Sequence, residues 1–316
     1  MKRSHTFQNG GAMRVAAIDC GTNSLRLLIA DISNGNFREI YRTMEVVRLG
    51  EGVDQNKSFK LEAIDRTLTA LQTFSQEIAR RGVERIRFCA TSATRDATNR
   101  ELFIKGVEEI LGITPEVIPG TEEAALSFLG ATKELAKSEG PFLVVDIGGG
   151  STEFVFGTES VISARSVNVG CVRMAERHQL TSPLSKTAQS AAIADIDAAI
   201  AEAATEVPIT QARTVIAVAG TATTVAAAAL GLDHYDRYAI HLSRISADRT
   251  HEIAATFAAM KRDEIAALGY MHPGRVDVIS AGSLVLSRIM SATGAQEFVA
   301  SESDILDGMA WSLAEK

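Results

Sequence analysis

At 316 residues, 46% hydrophobic and 22% charged, the chain has the composition of a globular protein that is too long for one ordinary core and suits two domains. A net charge of −7 argues against a general nucleic-acid binder, whose footprint is a surplus or stripe of basic residues. No apolar run approaches the roughly 20 residues that span a bilayer and the N-terminus lacks the apolar core of a secretory signal, so the sequence reads as cytoplasmic, with no membrane or nucleic-acid partner.

Residues 1–12 are polar and aperiodic and are set aside as a disordered leader ahead of Met13. Strands are expected near 14–20, 24–32 and 37–47, with Ser33-Asn34-Gly35-Asn36 as the turn between the second and third. Leu61, Ile64, Leu68, Leu71, Phe74 and Ile78 recur at helical spacing up to Gly82. Arg85–Ala90 then reads as a strand feeding Thr91-Ser92-Ala93-Thr94-Arg95, before a helix near 99–111 and a short strand near 114–118. Gly120-Thr121-Glu122-Glu123-Ala124 opens the next helix, with Thr121 as its cap and two acids where the helix dipole favours them; it is expected to end near Ser138-Glu139-Gly140-Pro141.

The domain boundary falls there, giving a first domain of residues 13–138 with 303–316 and a second of 139–302. Phe142 starts a second strand–loop–strand unit, with strands continuing to about Asn168. Helices near 171–179 and 186–204, a strand at 213–219, a helix after Gly220 and helices near 247–268 and 275–291 follow, and a last helix at about 304–314 crosses back to the first domain. The order β-β-β-α-β-α occurs twice, the pattern of a duplicated α/β fold with an interdomain cleft.

Two stretches carry the chemistry. An apolar run enters Asp19-Cys20-Gly21-Thr22-Asn23-Ser24, and another enters Asp146-Ile147-Gly148-Gly149-Gly150-Ser151, each followed by a second apolar run. A hairpin of this kind can wrap a phosphate in its backbone N–H groups while its carboxylate holds a cation or a water. A carboxylate at the end of a buried strand costs several kcal/mol unless donors or a cation compensate, so its occurrence twice points to function rather than to two turn caps. Arg95 could grip phosphate oxygens or form a surface ion pair; Arg26 and Arg173 could face a cleft or pack. Gly220-Thr221 begins another strand-to-helix turn of phosphate-binding type. The cysteines, Cys20, Cys89 and Cys171, lack metal-ligand spacing, and none of the six histidines falls in a metal signature.

These residues resemble the exopolyphosphatase and guanosine pentaphosphate phosphohydrolase family (Ppx/GppA), within the actin, sugar-kinase and heat-shock-chaperone superfamily. Ala17 to Leu28 look like its first phosphate loop, Thr91 to Arg95 its arginine segment, Pro119 to Ala124 its catalytic-glutamate segment and Asp146 to Glu153 its second phosphate loop. The resemblance implies two duplicated ribonuclease-H-like domains and the release of terminal orthophosphate from inorganic polyphosphate or, as the alternative, of the 5′-phosphate of guanosine pentaphosphate. It makes Glu122 the general base, with Glu123 in reserve should the register slip by one, and Asp146 and Glu153 catalytic. Asp19, Asp146 and Glu153 would hold Mg2+ or Mn2+, with K+ as a further cation. Gly21, Thr22, Asn23, Ser24, Arg26, Arg95, Gly148, Gly149, Gly150, Ser151, Thr152, Gly220 and Thr221 would bind phosphates.

Long members of the family carry extra helical domains that extend the polyphosphate channel, and this sequence lacks them, which implies shorter substrates or a homodimer that completes the channel. Two other readings of the fold are weaker. A kinase would need an adenine pocket and an Asp facing an acceptor hydroxyl, and Glu122 at a helix start suits water activation better. A nucleotide switch of the actin kind would carry a large insertion, whereas the connections here are short.

Overall fold

Two mixed sheets, each centred on strands buried on both faces, organise the chain. The structure is a computed structural model that describes residues 12–33 and 35–314. The expected leader up to residue 11 and Asn34 of the expected turn lie outside the described residues.

The first sheet has the order β3-β2-β1-β4-β5, from β1 (Met13–Cys20), β2 (Ser24–Ser33), β3 (Asn36–Val46), β4 (Arg85–Ala90) and β5 (Glu116–Val117). Its hairpin strands are antiparallel, and β4 joins β1 in parallel. Val15, Ala16, Ala17 and Ile18 of β1 are fully buried, which is why this strand reads as an unbroken apolar run rather than an alternating one. Short helices α1 (Val53–Asn56) and α3 (Ser92–Asp96) border the loops, while α2 (Leu61–Arg80) and α4 (Arg100–Leu111) cover one face with Ile64, Leu71, Phe74, Phe103 and Val107. α5 (Gly120–Thr132) leads out of the sheet.

The second sheet, of order β10-β11-β9-β6-β7-β8, repeats this plan in β6 (Phe142–Ile147), β7 (Thr152–Gly157), β8 (Val161–Val167) and β9 (Thr214–Val218), extended by β10 (Arg244–Ser246) and β11 (Glu297–Ala300). Its helices are α6 (Cys171–Arg177), α7 (Lys186–Ala204), α8 (Ala219–Ala229), α9 (Arg237–Ile240), α10 (Ala247–Ala259), α11 (Arg262–Ala266) and α12 (Ile279–Thr293). The final helix, α13 (Ile305–Ala314), lies on the first sheet, where Leu306, Met309 and Ala310 share a core with Val15, Ala17 and Leu28.

α5 stands between the halves. Leu126 joins the α13 core, whereas Ala124, Phe128 and Ala131 pack on β6, β7 and β9. Glycines bring α5 and α13 into near backbone contact: a Cβ on Gly130 would stand 1.9 Å from the Asp304 carbonyl oxygen, and one on Gly308 2.0 Å from that of Leu126.

Several boundaries differ from the sequence expectation. α5 stops at Thr132, whose hydroxyl bonds back to the Phe128 carbonyl, and only a turn of 3-10 helix at Lys137–Glu139 follows. The helix expected over 247–268 breaks in two, because Met260 and Lys261 are extended and Glu264 takes the Lys261 N–H to start a fresh helix. The short strands β10 and β11 were not expected at all.

Candidate active site

The two hairpin loops have the same construction. Gly21 N–H donates to Ser24 O at 3.0 Å, and Gly148 N–H donates to Ser151 O at 3.0 Å. They face each other in contact: a Cβ on Gly150 would lie 2.6 Å from Thr22 Oγ1 and 2.7 Å from Ser92 Oγ, so only glycine admits the first loop this close. Between them is a cavity of about 100 Å³, walled by both loops, Asp19, Asp146, Arg26, Glu123, Gly220 and Thr221. Thr22 Oγ1 is buried there without a hydrogen-bond partner among the described residues.

The carboxylates differ sharply in company. Across the first hairpin, Asp19 pairs in register with Arg26, whose Nε and Nη2 donate to Asp19 Oδ2 at 2.9 and 2.6 Å. Arg26 Nη1 also reaches Asp304 at the start of α13, so one guanidinium serves two buried acids. Across the second hairpin, the position opposite Asp146 is Glu153. Asp146 accepts from Ser127 Oγ at 2.5 Å and Glu153 from Ser166 Oγ at 2.7 Å, with no cation on either among the described residues. Burial pushes Asp146 up to about 6, and Asp304 and Asp19 add to the shift. Burial, then Glu123 and Asp146, push Glu153 well above the usual carboxylate range. Burial raises Asp19 as well, against the opposing pull of Arg26.

Glu123 is the acid of the α5 first turn that reaches this cavity. It is 9% exposed, accepts from Arg95 Nη1 at 2.7 Å, and is pushed up to about 7 by burial, with Arg95 opposing and Asp146 and Asp19 reinforcing. Glu122 corrects the assignment made from the resemblance: it lies off the cavity wall, its side chain 42% exposed and paired with Arg87 at 2.5 Å. Successive residues on a helix point about 100° apart, so one register step separates the cavity from the flank.

Gly21, Thr22, Asn23, Ser24, Arg26, Gly148, Gly149, Gly150, Ser151, Gly220 and Thr221 line the cavity with Asp19 and Asp146. Three expected phosphate or metal residues are placed behind it instead. Arg95 is committed to Glu123 and the Ile118 carbonyl, Thr152 donates to Val169 O at 2.6 Å, and Glu153 is 1% exposed. Met44, Cys171, Arg275 and Ile305 also line it and were not among the expected site residues. Neither was Asp304, whose link to Arg26 spans nearly the whole chain and leaves no local signature.

Among the described residues no group of three His, Cys, Asp or Glu is arranged to hold a metal ion. Asp19, Asp146 and Glu153 therefore do not form a ready-made cage. Their chemistry still suits a hard cation, since Mg2+ is held by one or two carboxylates together with substrate phosphates, and Asp146 is buried with no ion-pair partner in contact among the described residues.

A sequence model of the Ppx/GppA phosphatase family matches residues 28–316. The chain is 43% identical, over 95% of its length and 98% of that protein, to Exopolyphosphatase 2 of Mycobacterium tuberculosis. It is 36% identical, over 59% of this chain and 37% of that protein, to the guanosine-5′-triphosphate,3′-diphosphate pyrophosphatase of Pseudoalteromonas atlantica. A crystal structure of an exopolyphosphatase-like protein, 43% identical, covers 96% of this chain and 98% of its own with a TM-score of 0.92.

Proposed function

The chain belongs to the Ppx/GppA phosphatase family, and we propose that within it this protein is an exopolyphosphatase, releasing terminal orthophosphate from inorganic polyphosphate. What carries the reading is Glu123, a buried carboxylate raised to about 7, which stands with Asp19 and Asp146 on the wall of a cavity between two facing amide-lined loops. A relative of matching length is an exopolyphosphatase by name.

The chemistry follows from charge and position. The N–H groups of Thr22 to Ser24 and Gly149 to Ser151, with Gly220 and Thr221, hold the end of the polyanion and orient its last phosphorus. Glu123, held by Arg95, takes a proton from water as the water oxygen bonds to that phosphorus. The anhydride P–O bond breaks, the shortened chain keeps the bridging oxygen, and orthophosphate leaves. Mg2+ or Mn2+, held by Asp146 with Asp19 alongside, would neutralise charge developing on the phosphate oxygens. No helix among the described residues is long and apolar enough to cross a membrane. We expect a cytoplasmic homodimer, which sedimentation of the purified protein would test.

One observation favours guanosine pentaphosphate as a second substrate. A further cavity of about 450 Å³ opens beside the first and shares Arg26, Met44, Gly220 and Arg275 with it. Tyr235, Tyr270, Met271 and Pro273 give it an apolar wall that a bare polyphosphate cannot use and a nucleoside can. Phosphate release with Mg2+ from short polyphosphate, long polyphosphate, guanosine pentaphosphate and ATP, side by side, decides between them. Release from none of the four would overturn the phosphatase reading.

A further inference from the structure

The three glycine carbonyls of the second loop are held by α6. Cys171 N–H donates to Gly148 O at 3.0 Å, and the N–H groups of Val172 and Arg173 donate to Gly149 O at 2.9 and 3.0 Å. Arg173 Nε donates to Gly150 O at 2.5 Å. In a trans peptide the N–H lies opposite the C=O, so holding these three carbonyls on α6 turns the amides of Gly149, Gly150 and Ser151 toward the cavity. Three of these four hydrogen bonds come from the backbone. The fourth comes from a side chain, and among the described residues it alone holds the carbonyl of the peptide that carries the Ser151 amide.

The rest of the Arg173 fork leaves its own half of the molecule. Nη1 pairs with Asp54 of α1, and Nη2 with Asp96 of α3 at 2.6 Å and Ser92 Oγ at 3.4 Å. Asp96 follows Arg95, the partner of Glu123. Arg173 is 6% exposed and does not line the cavity. Arg177 and Glu176 strengthen the same seam, Arg177 on Asp54 at 3.1 Å and Glu176 on the Gly52 N–H at 3.2 Å.

We propose that Arg173 is a positioning residue for phosphate binding: it aims the Ser151 amide into the cavity and fixes the second loop against α3 of the first half. The proposal rests on the reading that the cavity binds phosphoanhydrides. A guanidinium is needed because its planar fork meets a carbonyl and two carboxylates in three fixed directions, which an ammonium on a flexible stem does not.

Arg173→Lys keeps the charge and most of the packing and loses the fork. At a temperature where circular dichroism shows it folded, its KM for tripolyphosphate rises roughly tenfold or more, the usual weight of a hydrogen bond to a charged group, while kcat holds within a few-fold. Calorimetric titration with tripolyphosphate shows the same loss of affinity without turnover. Asp96→Asn, which cuts one tether to the first half, moves KM the same way by less, and it decides the matter should Arg173→Lys fail to fold. A folded Arg173→Lys that binds tripolyphosphate as tightly as the wild type overturns this inference alone. A wild type that neither binds tripolyphosphate nor releases phosphate overturns the phosphatase reading and this inference with it.

Discussion

The two hairpins are copies in backbone and opposites in charge. At the position facing the strand-end aspartate, the first carries Arg26 and the second Glu153. Asp19 is thus neutralised by its own hairpin, and the guanidinium also serves Asp304. Asp146 gains a second buried acid, and the pair rely on hydroxyls. Duplication supplied two equal loops, and one cross-strand position divided their work. The first half presents a charge-balanced surface to a polyanion, while the second stores negative charge that only a proton or a cation can relieve.

The strongest way to break this comparison is at the carboxylate the stored charge acts upon. Glu123→Gln should lower phosphate release by about a hundredfold to ten-thousandfold, the range for a lost general base, in a direct phosphate assay. Asp146→Asn and Asp19→Asn then separate the halves. The first should cut kcat/KM about a hundredfold and weaken the dependence on Mg2+, since several kcal/mol of charge stabilisation go with the cation. The second leaves Arg26 on Asp304 and should chiefly lower stability, by about 1–3 kcal/mol in a urea melt. Equal Mg2+ dependence in the two variants would erase the distinction.

Titration sharpens it further. Glu123 works as a base only when ionised, so kcat/KM should climb with pH through about 7. Its folded value lies above the unfolded one of about 4.3, so the stability it contributes is complete below pH 4.3 and is lost as pH rises through about 7. Glu123→Gln should therefore melt a few degrees higher than wild type at pH 8 and at the same temperature at pH 4. The smallest effect belongs to Glu122→Gln, which gives up a partly exposed ion pair and should change the rate by no more than about threefold, on the scale of surface pairs worth 0–1 kcal/mol.

How much of this could be read in advance depends on how local the cause was. β1, β6 and the loops between their hairpin strands were visible because unbroken apolar runs end in Asp and small residues. The inward acid of α5 was not, because Glu122 and Glu123 are neighbours in one helical turn and only the docking of α5 against β6 and α13 selects between them. Arg95 was read as a phosphate ligand, and its pairing with Glu123 depends on how α3 meets α5. The three- and four-residue strands β10 and β11 carry too few residues for periodicity to register; β11 is held in place by β9, and β10 by β11.

The contact between α5 and α13 also sets an order of events during synthesis. The first sheet is translated first, yet Leu306, Met309 and Ala310, which cover Ala17 and Leu28, leave the ribosome only after the whole second half. At ordinary elongation rates that interval lasts roughly tens of seconds, during which one apolar face of a nascent sheet stays open. Asp304 arrives in the same late segment, so Arg26 has one of its two acids missing until then. A chain interrupted before residue 304 carries both phosphate loops and the Asp19–Arg26 pair, and lacks the apolar cover of the first sheet that only the final helix supplies.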